Sequence, residues 1–327
     1  MLDKYWIFIL GFLISIIIAP LIIKFITKLK CGQNILSYVD KHMSKQGTPT
    51  MGGIIFLMSL LICFFVTFGK SSRLASIVLL VTFSYGLLGF LDDFLKIKLK
   101  HNEGLKPYQK FIGQFGIAII IAIFVYRSGM VSNSIILPFA LKQLDIGWWI
   151  IPFVIIFFVA VTNSVNLTDG LDGLAGGVSF VNVLTVALVL GVISASGMLA
   201  APAEEYASIV KLCFALCGAL LGYLVYNWSP ASVFMGDTGS LALGGFLASV
   251  LTFSNLYLLM FTVGIMFVLN TLSVVLQVGY YKLTHKRIFK MAPLHHHFEQ
   301  SGVKETKIVF CYIAISTIML FVTIIIF

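Results

Sequence analysis

The chain reads as ten apolar runs, at 5–27, 51–69, 74–95, 111–126, 148–165, 174–195, 206–226, 239–254, 257–280 and 308–327. A predominantly apolar stretch of roughly 17–25 residues is what an α-helix needs to cross the hydrocarbon core of a bilayer. In lipid, every backbone N–H and C=O must be satisfied inside the protein, so runs of this length form spanning helices. A mean hydropathy of +1.03 with 11% charged residues excludes a soluble globular core. The sequence therefore predicts an all-α polytopic membrane protein with about ten transmembrane helices. No shift in composition marks a second unit, so 1–327 is expected to be a single integral-membrane domain.

Charge sets the direction of the crossings. One set of loops holds sixteen of the 22 Lys and Arg residues: Lys24, Lys28, Lys30, Lys41, Lys45, Lys96, Lys98, Lys100, Lys106, Lys110 and the six between 282 and 307. The other set holds Lys4, Lys70, Arg73, Arg127, Lys142 and Lys211. The positive-inside rule makes the first set cytoplasmic, which places the N- and C-termini outside. All six histidines (His42, His101, His285, His295, His296, His297) fall on the cytoplasmic side. The net charge of +9 thus belongs mainly to one membrane face. There it suits membrane lipids with anionic headgroups, or a polyphosphate substrate; no nucleic acid partner is expected. Five cysteines, mostly within apolar runs, argue against a disulfide framework. The first apolar run is too long for a cleavable signal and no small-residue cleavage site follows it.

Five carboxylates sit where spans end: Asp92, Asp93, Asp169, Asp172 and Asp237, all on the cytoplasmic side. An acid at a span's centre costs roughly 2.5–3.5 kcal/mol on insertion scales, so acids gathered at one membrane face read as a chemical site. Asp92 and Asp93 close the third span, with Lys96 one turn on. Adjacent helical residues point about 100° apart, so the two cannot do the same job equally well. A plain boundary pair with an i,i+4 Asp–Lys contact is the simpler reading.

Asn163, Asn166, Asp169 and Asp172 recur every three residues before the sixth span, among Gly170, Gly173, Gly176 and Gly177. If the sixth helix starts there, Asp169 and Asp172 share a face, and Thr168 or Asp169 could be its N-cap. A glycine-rich opening of a helix also suits phosphate oxygens. Between the seventh and eighth spans, Asp237 could cap a helix, while Trp228 and Phe234 suit stacking on a ring. The last loop carries His295-His296-His297-Phe298-Glu299, and three consecutive histidines cannot all face one point. The turn Gly47-Thr48-Pro49-Thr50-Met51-Gly52-Gly53 precedes the second span.

Carboxylates crowded in a partly desolvated site raise one another's pKa or share a divalent cation. Oxygen ligands favour Mg²⁺ or Mn²⁺, bound together with substrate phosphates. Lysines and histidines alongside would stabilise charge on a diphosphate. The residues alone point to metal-dependent phosphoryl-type transfer between a soluble nucleotide and a lipid carrier.

The turn at 47–53, Asp92-Asp93, Asn166-Leu167-Thr168-Asp169-Gly170-Leu171-Asp172-Gly173-Leu174-Ala175, Phe234-Met235-Gly236-Asp237-Thr238-Gly239-Ser240 and Pro293-Leu294-His295-His296-His297-Phe298-Glu299 resemble, in matching order, the phospho-N-acetylmuramoyl-pentapeptide-transferases. The Asp pairs are shared with the wider polyprenyl-phosphate N-acetylhexosamine-1-phosphate transferases. The resemblance implies ten helices, a multi-pass protein of the bacterial cytoplasmic membrane, a homodimer and a Mg²⁺ site on the cytoplasmic face. It implies transfer of phospho-MurNAc-pentapeptide from UDP-MurNAc-pentapeptide to undecaprenyl phosphate, giving lipid I and UMP for peptidoglycan synthesis. Asp237 resembles the metal ligand. Asp92 and Asp93 resemble the end of the site that meets the lipid phosphate. Asn163, Asn166, Asp169, Asp172, Asn227 and Phe234 resemble nucleotide-sugar contacts. Lys96, Lys110, His295 and His296 resemble contacts to the diphosphate or sugar, and His297 lies where the peptide arm would be selected. The chain departs from the family pattern at Val39-Asp40, Tyr108 and Ser232. The alternatives are a transferase using UDP-GlcNAc and an ion-coupled transporter. A transporter would place its acids near the midplane in broken helices of an internal repeat, and the sequence shows none.

Overall fold

Each apolar run becomes a helix whose ends are set by the residues flanking it. The computed structural model describes residues 3–28, 47–67, 72–99, 104–140 and 142–327. Its order is α1 (Asp3–Lys28), α2 (Gly53–Thr67), α3 (Arg73–Leu99), α4 (Pro107–Arg127), β1 (Ser134–Leu137), β2 (Lys142–Asp145), α5 (Ile150–Thr168), α6 (Leu174–Ile193), α7 (Ala203–Asn227), α8 (Gly236–Phe253), α9 (Ile265–Thr284), α10 (Leu294–Gln300) and α11 (Glu305–Ile326). Pro107 opens α4 at the first helical position, where its missing N–H costs nothing. Asn255, at φ +57°, ends α8 in a left-handed conformation that asparagine tolerates. Lys30, Lys41, Lys45, Lys70, Lys100, His42, His101 and Val39-Asp40 lie outside the described residues.

Among the described residues, eight helices are long and apolar enough to cross a membrane: all the long ones except α2 and α8. The α2 helix is apolar but 15 residues long. The fold is thus an all-α membrane bundle with, among the described residues, one two-stranded hairpin. Two sequence expectations change. The ninth helix starts at Ile265 rather than 257, because Asn255 breaks the chain and Tyr257–Phe261 form a separate 3-10 turn. The histidine triplet is helical, in α10. The segment between α4 and α5 pairs as an antiparallel hairpin, held to the end of α8 by Asn255, whose Nδ2 donates to the Ser132 and Ser134 carbonyls at 2.7 and 2.6 Å.

The α8 helix is the centre of the bundle, buried without interruption from Thr238 to Phe253. The α3 helix lies along it and α5 packs on another side. In α6 and α7, 72% of the spanning window is buried, against 22% in α1 and α9, so the latter pair face lipid. This layering fixes the ends of α3, α5 and α8 next to one another.

The α1–α7 seam shows what holds such a bundle together. Lipid tails are as apolar as leucine, so helices associate through close packing and interhelical hydrogen bonds. Small residues permit the approach: a Cβ on Gly218 would lie 2.0 Å from the Phe8 carbonyl oxygen, and one on Gly11 would lie 2.5 Å from that of Ala215. Ser15 donates across the seam to the Ala219 carbonyl at 2.8 Å. Gly218→Val should therefore destabilise by about 1–3 kcal/mol, the usual cost of overpacking. Gly191→Val, where a Cβ meets nothing within 4 Å, should not. Equal melting temperatures for the two variants in detergent would remove the seam from the account.

Candidate active site

The α3 helix delivers two carboxylates at the same end of the bundle, and the packing divides them. Asp93 turns toward α8. It accepts the Asp237 N–H at 3.1 Å, the Thr238 N–H at 2.9 Å and the Thr238 hydroxyl at 2.7 Å. It is the N-terminal cap of α8, supplied by another helix, since no side chain of α8's own sequence caps it. Two glycines make room for this contact. A Cβ on Gly89 would lie 2.0 Å from the Asp237 carbonyl oxygen, and one on Gly236 would lie 2.6 Å from Asp93 Oδ2. Gly236 also needs its φ of +73°.

Asp92 turns the other way, into the cluster. Its Oδ2 is 2.8 Å from Lys96 Nζ, the i,i+4 contact, and 3.8 Å from Lys110 Nζ. Its Oδ1 accepts the Leu105 N–H at 2.6 Å. Asp237 sits opposite in the first turn of α8. Its Oδ2 accepts from Lys96 at 2.8 Å and Lys110 at 2.9 Å, and its Oδ1 accepts from Asn166 Nδ2 at 2.6 Å. Asn166 also donates to Ser240 at 2.8 Å, which fixes its amide orientation. Two acids from α3 and α8, two lysines from α3 and α4, and one asparagine from α5 therefore meet at one point.

The sixth helix starts where its apolar run does and not at the acids: α5 runs to Thr168, and α6 begins at Leu174, after Gly173 at φ +77°. Neither Thr168 nor Asp169 caps α6. Nor is its N-terminus open to phosphate, because Leu174 to Gly177 are buried and the Gly173 N–H donates to Asn227 Oδ1; the Asp172 N–H before it donates to Glu305. Asp172 and Asn227 act as struts. Asp172 Oδ2 accepts the Ala231 N–H at 3.1 Å, and Asn227 Nδ2 donates to the Val233 carbonyl at 2.9 Å. They lock the 169–173 loop to the 228–235 loop. The turn before α2 braces the second loop from behind: the Gly52 and Gly53 N–H groups donate to the carbonyls of Phe234 and Met235. Asp169 is pushed well above the ordinary carboxylate range by burial, and further by the neighbouring charges of Asp237, Asp93 and Asp172. Burial and these like charges favour its protonated form more than for an ordinary carboxylate.

Asn163 lies one turn deeper than Asn166 and does not join the acids. Its Nδ2 donates to Gln114 Oε1 at 2.7 Å and to the Val159 carbonyl at 2.8 Å, tying α5 to α4. The histidines of α10 face three ways. His295 is fully buried, with its Nε2 aimed at Gly170, and burial pushes its pKa down to about 3. The ring is neutral at physiological pH and offers hydrogen bonds rather than charge. His296 Nδ1 meets Glu299 at 3.0 Å. His297 Nδ1 accepts the Lys290 N–H at 3.1 Å. Sequence reasoning missed Gln114, Thr238, Glu305 and Gln277, the last holding the arm before α10 through Ile288 and Phe289. Gln114, Glu305 and Gln277 are single polar residues without a motif, while Thr238 stands within the 234–240 motif but had no role read for it.

Among the described residues, no group of three or more His, Cys, Asp or Glu side chains is placed to hold a metal ion. What the site offers is two carboxylates, Asp92 and Asp237, both in contact with one cation, the Lys96 ammonium. That donor set fits Mg²⁺, which commonly takes one or two carboxylates and completes its octahedron with water and substrate phosphates.

A helical membrane bundle that closes a carboxylate–lysine cluster at one end is matched by the family model for glycosyl transferase family 4, over residues 75–255, the part that carries all five acids. Fold and site thus define a member of that class of membrane transferases. A second model, phospho-N-acetylmuramoyl-pentapeptide-transferase signature 1, matches residues 45–57, the turn that braces the Phe234 loop. A phospho-N-acetylmuramoyl-pentapeptide-transferase of Clostridium perfringens (strain 13 / Type A) is 45% identical over 315 residues, covering 96% of this chain and 95% of that protein. Proteins of the same name from Clostridium novyi (strain NT) and Geobacillus thermodenitrificans (strain NG80-2) are each 45% identical, over 94% and 93% of this chain and 92% of either relative. The chain belongs to the phospho-N-acetylmuramoyl-pentapeptide-transferase family.

Proposed function

We propose that this chain, as one integral-membrane unit, transfers phospho-MurNAc-pentapeptide from UDP-MurNAc-pentapeptide to undecaprenyl phosphate, forming lipid I and UMP. The observation that carries the reading is the meeting of Asp92, Asp237, Lys96, Lys110 and Asn166 at one end of the bundle. A phosphate oxygen of the lipid attacks the sugar-linked phosphorus. The bond from that phosphorus to the bridging oxygen breaks, and UMP leaves with the electron pair. The lipid phosphate is already largely ionised at neutral pH, so no strong base is required. Lys96 and Lys110 bind the diphosphate oxygens, Asn166 orients Asp237, and Asp169 contacts the nucleotide sugar. Asp237 with Asp92 would hold Mg²⁺, which when bound neutralises the diphosphate and the departing UMP. The transporter reading has less support, since the acids lie at helix ends rather than mid-span, and the UDP-GlcNAc reading has less, since the turn at 47–53 falls within a muramoyl-branch signature.

The muramoyl sugar differs from GlcNAc by a lactyl-peptide arm. The arm before α10 and α10 itself, with Lys290, His296 and His297, supply the polar groups beside the cluster. A site built to hydrogen-bond such groups rejects analogues lacking them, because its own polar groups then stay unpaired. Purified protein should turn over UDP-MurNAc-pentapeptide at least ~100-fold better, in kcat/KM, than UDP-GlcNAc. Gly/Ser replacement of 290–299 should erase the preference. Equal kcat/KM for the two sugars in the native protein would overturn the muramoyl assignment.

The charge asymmetry of the loops supports an active site on the cytoplasmic face of the bacterial inner membrane. Thr306→Cys should then be shielded from an impermeant thiol reagent in whole cells and Lys142→Cys labelled. The reverse pattern would sink this orientation. The lipid-facing surfaces of α1 and α9 leave room for a homodimer, which a mass measurement in detergent would read directly.

A further inference from the structure

At the end of the bundle opposite the acids, the start of α3 and the end of α4 enclose an open cavity of about 500 Å³. Ser72, Arg73, Ser76 and Ser128 supply its polar lining, and Ile77, Phe124 and Met130 its apolar lining. Arg73 precedes Asp92 by nineteen residues on the same helix, roughly 29 Å of helical rise. That is about one hydrocarbon thickness. Arg73 therefore lies at headgroup level in the leaflet away from the active site.

The start of α3 is not itself free for an anion. The Glu205 carboxylate accepts from the Ser72 hydroxyl and from the N–H groups of Arg73 and Leu74. These donors engage both carboxylate oxygens, and the exposed Arg73 guanidinium makes no ion pair among the described residues. Ser128 Oγ accepts the Met130 N–H, which leaves its own O–H to donate. An uncommitted guanidinium and hydroxyl beside the apolar side chains of Ile77, Phe124 and Met130 match a phosphodiester that carries acyl chains.

We propose that this cavity seats the headgroup phosphate of an anionic glycerophospholipid in the leaflet opposite the active site. The proposal is independent of the transfer reaction. The full-length protein would be reconstituted in nanodiscs of phosphatidylcholine with phosphatidylglycerol, and retained lipid counted by native mass spectrometry. Phosphatidylglycerol should be retained in preference to phosphatidylcholine. Arg73→Gln should lower that preference about fivefold, the factor for one basic residue at an anionic surface. Ser76→Leu, which fills the cavity with a helix-forming residue, should lower it independently and decides the matter if Arg73→Gln does not fold. Excess glycerol 1-phosphate should not displace the lipid. An unchanged preference in the folded variants would overturn the proposal, as would displacement by glycerol 1-phosphate, which would mark a site for small anions.

Discussion

Asp237→Asn should abolish turnover, by at least ~10³-fold, while the protein stays folded. Removing a single preorganised electrostatic group from an active site commonly costs ~10²–10³ in kcat. Asp237 is more than one such group, because it engages Lys96, Lys110 and Asn166 at once. The amide is nearly isosteric but uncharged. It leaves two ammonium groups without their shared partner and removes one of the two carboxylates proposed to hold Mg²⁺. Folding should survive, because the backbone of Asp237 remains held by Asp93 and the two lysines are partly exposed. The readouts are turnover, the Mn²⁺ or Mg²⁺ dissociation constant, and the melting temperature in detergent. Wild-type-like turnover at limiting Mg²⁺ would remove Asp237 from the metal role.

Asp93→Asn should behave differently from Asp92→Asn, although the residues are neighbours. Asp93 spends both carboxylate oxygens on the start of α8. An amide has one acceptor oxygen and places an N–H₂ against donors. Loss of a cap costs about 0.5–2 kcal/mol, and an unsatisfied buried donor adds to that. Asp93→Asn should therefore lower the melting temperature and turnover together, since Asp237 moves with the helix start. Asp92→Asn should keep the melting temperature and change KM for the lipid phosphate or kcat. A melting temperature unaffected by Asp93→Asn would return Asp93 to the lipid-phosphate end of the site, where the sequence resemblance puts it.

These two residues show where sequence reading ran out. That they differ in job follows from the helical period alone, and that they sit at a membrane face follows from hydropathy. Which one faces the cluster does not follow, because Asp93 and Thr238 are 145 positions apart and no local spacing links them. The same holds for Asn163. Its three-residue spacing with Asn166 suggested a common task, yet a short drop in depth hands it to Gln114 on another helix.

The amino-acid sequence by itself determined the helices and the face on which the acids gather. A bilayer forces each span to satisfy its backbone locally, so length and apolarity are enough to find it. The pattern of acids, lysines and asparagines also determined the kind of chemistry. Only the tertiary structure decided which acids share a point and which serve as caps and struts. Those roles depend on the rotation of each helix about its axis, and that rotation is set by close contacts such as Gly89 on Asp237 and Gly218 on Phe8. Lipid is nearly indifferent to rotation, so hydropathy carries little trace of it.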